Sequence, residues 1–221
     1  MAAHTTLSTL AVGARVNSTI SIASGVLPGY AAKAVLTCLT GLAVTAPAGW
    51  DEDTAAVTNT PAGLDEHTYY RKIAAGDSSW TWTHLSSTTS VIIVYFSGRN
   101  TQSNPFQVVT PTGNTGTSAA CRMLELTAPS GGYDLLFIGS PGSLTPGAAT
   151  PPSGMTELLD WSNVVAIHQV NIQNNIASGA TGDKDMSNTS QEWVSFGFLV
   201  APQSILPNLR TGISMQQILR N

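Results

Sequence analysis

The chain has 221 residues and a formal net charge of −4, and 10% of its residues are charged, against roughly 25% in an average globular protein. Its longest basic run is the pair Arg71-Lys72, so the dense cationic footprint that nucleic acid requires is missing, and no stretch approaches the ~20 apolar residues of a membrane-spanning helix. With 42% hydrophobic residues the chain can bury a sizeable core, while Ser, Thr, Asn, Gly and Pro supply the polar surface, a composition that suits strands, tight turns and faces packed against neighbours.

In chain order, Met1 to Leu10 has neither a basic start nor a continuous apolar core, so no secretory signal is read there and folding in a cytoplasm is expected. Residues 1–15 are taken as an N-terminal arm. Residues 16–23 alternate apolar and polar, the pattern of a half-buried strand. Pro28-Gly29 marks a turn, and residues 33–40 read as a strand of the sheet interior. A loop follows through Pro47-Ala48-Gly49-Trp50 and the acidic run Asp51-Glu52-Asp53, taken as solvated. Residues 68–73 form a strand. In the next, Trp80 and Trp82 share one face, as the period of two requires. Residues 91–96 are continuously apolar, the mark of a strand covered on both faces. A long loop over 99–119 holds a short strand at 106–110. Strands follow at 121–127, 133–139, 164–172 and 193–200, with a Gly/Pro-rich loop over 140–154. Residues 203–221 are left as a C-terminal docking tail with apolar anchors Leu206, Leu209, Ile213, Ile218 and Leu219, and Ser214 starts a short helix there.

These signals predict an all-β, antiparallel β-sandwich of jelly-roll type, with one domain over 16–202 and short extended terminal arms. An internal similarity suggests a two-half pseudo-repeat. Pro47-Ala48-Gly49-Trp50 in the first half matches Pro152-Ser153-Gly154-Met155 in the second, and Trp50 and Met155 are expected to plug the sandwich ends.

Taken in sequence, Pro47-Ala48-Gly49-Trp50, Tyr69-Tyr70-Arg71, Trp80-Thr81-Trp82-Thr83, Tyr95-Phe96-Ser97-Gly98 and Pro152-Ser153-Gly154-Met155-Thr156 resemble a β-sandwich module common in bacteriophage virion proteins, especially tail-associated and fibre-type ones. The resemblance spans residues 16–202 and lies in the order of the motifs. It implies a compact accessory subunit on the particle exterior, either head decoration or cement, or tail-associated. It further implies contacts with major capsid or tail proteins, a homo-oligomer, and residence in the virion. The chain shows no fibrous repeat or coiled-coil shaft, which disfavours a full-length recognition fibre.

Chemistry-bearing patterns are sparse, and neither an enzyme, a cofactor nor a metal is expected. No GxSxG, HExxH, P-loop or dinucleotide-binding glycine pattern appears. Gly139-Ser140-Pro141-Gly142 is similar to a nucleophile elbow, but its proline lacks the N–H an oxyanion hole uses, and it reads as a turn. The scattered His4, His67, His84 and His168 read as structural. Asp183 and Asp185 flank Lys184 without calcium-loop spacing. Cys38 and Cys121 read as buried thiols. The alternative to a structural role is a carbohydrate-binding module for host-surface glycan, with Trp80, Trp82, Tyr69 and Tyr70 as the stacking platform.

Overall fold

The computed structural model describes residues 4–59, 63–97, 106, 114–141, 149–162 and 167–202. Among them the backbone is strand, turn and bend, with no helix. The first half of the chain supplies β1 (His4–Ser21), β2 (Ala31–Leu39), β3 (Val44–Thr45), β4 (Asp51–Asn59), β5 (Leu64–Lys72) and β6 (Ser79–Phe96). The second supplies β7 (Asn114–Met123), β8 (Thr127–Ala128), β9 (Tyr133–Pro141), β10 (Thr156–Ser162), β11 (Ile167–Ile176), β12 (Gly179–Ala180) and β13 (Lys184–Val200). All pairings are antiparallel.

Each half builds its own sheet. The order is β1-β6-β2-β5-β4 in the first and β10-β11-β9-β13-β7 in the second. Read from the opposite edge, the second order repeats the first, with β7, β13, β9, β11 and β10 in the places of β1, β6, β2, β5 and β4. The turns agree as well. Trp50 N donates to Pro47 O at 3.2 Å and Met155 N to Pro152 O at 3.1 Å, with Gly49 at φ +81° and Gly154 at φ +78°. That left-handed position favours glycine, which has no Cβ to clash.

The period of two divides the side chains among three cores. Ala31, Val35, Ile92, Val94 and Phe96 of the first sheet meet Leu136, Ile138, Val170, Ile172, Val194, Phe196, Phe198 and Val200 of the second. This is the seam between the layers. Alternate residues of the same strands face away from it. Ala32, Ala34, Leu36, Ile93 and Tyr95 join Trp50, Trp80 and Trp82 in one outer core. Leu135, Phe137, Met123, Met186 and Trp193 form the other. The first sheet curls around its outer core, because β1 and β6 run together for most of their length with register shifts at Val12/Arg15 and Arg15/Asn17, and such bulges bend a ribbon. Residues 91–96 are therefore enclosed on both sides.

Several boundaries differ from the sequence reading. The first strand begins at His4 rather than 16, within the segment taken as an arm, and pairs with β6. The Trp-Thr strand and the 91–96 strand are one strand, β6. The acidic run opens β4, which among the described residues is an edge strand paired with β5 alone. Gly139 to Pro141 is the end of β9 rather than a turn. The expected strand at 106–110 is represented by Phe106 in a bend, and 107–110 lie outside the described residues. So do residues 203–221, with the docking anchors Leu206, Leu209, Ile213, Ile218 and Leu219 and the helix start at Ser214.

Candidate functional site: buried polar groups between the sheets

The four aromatics named as a glycan platform do not form one. Trp80, Trp82 and Tyr69 are 5%, 0% and 2% exposed and belong to the first outer core. Tyr70 is half-buried against the seam between the sheets. A face that stacks on sugar must be open, and here the curl of β1 and β6 closes over the face that carries Trp80, Trp82 and Tyr69. Trp50 seats its ring 5.0 Å from Trp80, edge-on, and 5.2 Å from Trp82. Met155 packs, partly buried, on the second outer core.

The polar side chains that matter most lie in the seam. Glu66 on β5 accepts a hydrogen bond from Thr37 Oγ1 of β2 at 2.9 Å. His168 on β11 lies between two serines. Its Nδ1 is 2.9 Å from Ser140 Oγ of β9, and its Nε2 contacts Ser90 Oγ of β6. Thr37 Oγ1 is 3.5 Å from the same Nε2, so the two residues' networks join across the layers. Glu66, His168, Thr37 and Ser90 are fully buried, and Ser140 nearly so. Burial pushes the Glu66 carboxyl up to about 8, against hydrogen bonds from Ser140 and Thr37 that favour the ionised form. Burial likewise brings the His168 imidazole down to about 3. Both groups are thus neutral over a broad range, as desolvation demands. A serine, an imidazole and a carboxyl group are the ingredients of nucleophilic catalysis, but here they are sealed inside a packed sandwich.

A second buried pair lies on the same face of β2. Lys33 Nζ contacts Asp53 Oδ2 of β4, and both side chains are wholly enclosed. The ammonium stands 3.8 Å from the Phe198 ring centre and 5.4 Å from that of Phe106. Asp53 lies in a bulge, since in the backbone register Glu52 pairs with Tyr69 and Thr54 with Thr68, and Asp53 falls between them opposite no residue of β5. The extra residue turns its side chain inward, whereas Asp51 and Glu52 stay exposed. The solvated reading of the acidic run therefore fails at its third member. The one available signal was Lys33 itself, a cation inside the apolar run Ala31-Ala32-Lys33-Ala34-Val35-Leu36. Nothing local in the sequence marked Asp53 as its partner, because the two lie on strands separated by β5.

At the surface, Asn114, Thr115, Ser118, Ala120, Arg122 and Trp193 line a depression of about 370 Å³. Arg122 there makes a two-pronged bond to Asp185, Nε to Oδ1 at 2.7 Å and Nη2 to Oδ2 at 2.8 Å, and lies 3.8 Å from Asp183. The two carboxylates weighed as calcium ligands thus face a cation. Among the described residues, no group of three or more His, Cys, Asp or Glu could hold a metal ion. Cys38 and Cys121 are free and buried, and burial pushes both thiols upward. Comparison of the chain with protein-family models, with curated proteins and with solved structures finds no match.

Proposed function

We propose that this chain is a structural protein of a bacteriophage particle, a non-enzymatic accessory subunit on the exterior that acts through contacts with other subunits. The observation that carries this reading is the burial of the Glu66–His168 cluster. Among the described residues, the serine, imidazole and carboxyl groups of Ser140, His168 and Glu66 are buried in the seam, where they join one sheet to the other. The ordered motif resemblance over residues 16–202 and the low charge content support the same reading. Each sheet also ends in two edge strands, β1 and β4 in one, β10 and β7 in the other, and edges are where a neighbouring chain can add. Head decoration and tail attachment both fit, with the major capsid or tail protein and further copies of this chain as partners.

Purified particles test the reading. Quantitative mass spectrometry is expected to find the chain in a fixed ratio to the capsid or tail protein, and an antibody is expected to label the particle exterior. Its absence from particles, or a solitary monomer that turns over a substrate, would overturn the proposal.

A further inference from the structure

We propose that Lys33 and Asp53 form a covalent isopeptide bond, an amide between Nζ and Cγ that ties β2 to β4 across β5. Four observations converge on it. The amine and the carboxyl group are in direct contact, with both side chains enclosed. They are walled by the Phe198 and Phe106 rings, which keep out the water that would hydrolyse an amide or solvate the ions. Asp53 Oδ1 has no hydrogen-bond partner despite its burial, an arrangement that is costly for a persistent carboxylate. The bulge at Asp53 places this carboxyl against a side chain from a strand that β4 does not touch in the sheet.

The chemistry needs no further reactant. Burial favours the uncharged form of both groups: it lowers the Lys33 ammonium to about 8, with Asp53 opposing, and raises the Asp53 carboxyl, with Lys33, Thr68 and Asp51 modulating it. A proton passes from the ammonium to the carboxylate. The freed lone pair on Nζ attacks Cγ, and the carbonyl electrons move onto oxygen, where Thr68 Oγ1, at 3.5 Å from Oδ2, can donate a hydrogen bond. The tetrahedral centre collapses, the C–O bond to the hydroxyl breaks, and that hydroxyl leaves with a proton from nitrogen as water. One C–N bond forms, one C–O bond breaks, and nothing is oxidised or reduced. Two buried charges become one neutral amide, and the contact geometry replaces the encounter step that slows amide formation in solution.

Intact-mass measurement of the full chain, purified after folding and then denatured, decides the matter. The expected mass is lower than the sequence mass by one water, and proteolysis should release the Lys33 and Asp53 peptides as one branched species. Lys33→Met and Asp53→Ala should each restore the full sequence mass. Asp53→Asn should give the same branched peptide by loss of ammonia. The wild-type result stands even where a variant fails to fold. A wild-type chain of full sequence mass that yields two separate linear peptides overturns the proposal.

Discussion

Burial raises the Glu66 carboxyl to about 8 and lowers the His168 imidazole to about 3, and the two shifts act on stability in opposite pH ranges. The folded His168 stays neutral where an unfolded histidine would be charged, so its contribution is lost as pH falls from 6.5 toward 3. The folded Glu66 holds a proton that the unfolded chain releases above 4.5, so its contribution is lost as pH rises from 4.5 toward 8. Between 4.5 and 6.5 the two slopes oppose each other, which predicts a plateau of stability there with a decline on either side. Each slope approaches ~1.4 kcal/mol per pH unit for one proton. Glu66→Gln keeps the size of the side chain and removes the ionisation. Thermal melts of the variant are expected to lose the decline between pH 6.5 and 8 while keeping the acid-side decline. A wild-type-like alkaline decline would refute this assignment. His168→Ala should cost about 2–3 kcal/mol in denaturant titrations, because Ser90 and Ser140 lose their shared partner inside the core.

The Pro-x-Gly turns show how one short motif serves two halves of a molecule. Each reverses the chain before an edge strand, β4 or β10, and sets a large apolar side chain on an outer core. They differ in surroundings. A Cβ on Gly49 would lie 2.9 Å from Arg71 Nη1, while one on Gly154 would meet nothing within 4 Å. Arg71 has little freedom to withdraw, since Nη1 donates to Ala48 O at 2.7 Å and Nη2 binds Asp77. Gly154→Ala should therefore cost only the left-handed backbone strain of ~1–2 kcal/mol, and Gly49→Ala should cost measurably more, as a larger drop in melting temperature. The strands differ in how plainly their sequences mark them. β6 and β9 carry apolar runs and are visible in the sequence. β4 carries Asp51, Glu52, Asp53 and Thr54 and reads as a loop, because an edge strand is held by pairing on one side and needs no continuous apolar face.

The two sheets share the seam formed by Val35, Ile92, Leu136, Ile138 and their neighbours. Expressed alone, either half would present that apolar face to water, at a cost of roughly 1.5–3 kcal/mol for each large side chain uncovered. The polar groups add to the coupling, since Thr37 and Ser90 come from one sheet and Ser140 and His168 from the other. The halves are thus expected to unfold together. Calorimetry should show a single transition, and two resolved transitions would mean that each half is stable without the seam. At this level the repeated strand order matters as well, because the two five-strand arrangements, packed face to face, leave β1, β4, β10 and β7 at their margins among the described residues.

Strand character and the pairing of Pro47–Trp50 with Pro152–Met155 were legible from alternation and turn chemistry, because both depend on neighbours a few residues apart. The all-β class followed from them. The direction in which each face points was not legible. Trp80 and Trp82 share a face in any strand, but only the curl of β1 and β6 encloses that face and removes the platform. The contacts of Glu66 with Thr37 and of Lys33 with Asp53, and the cross-sheet bonds of His168, were likewise decided by the tertiary structure. Those partners lie on different strands or different sheets, and their meeting depends on register, a bulge and the docking of two layers, none of which is encoded in a local window of residues.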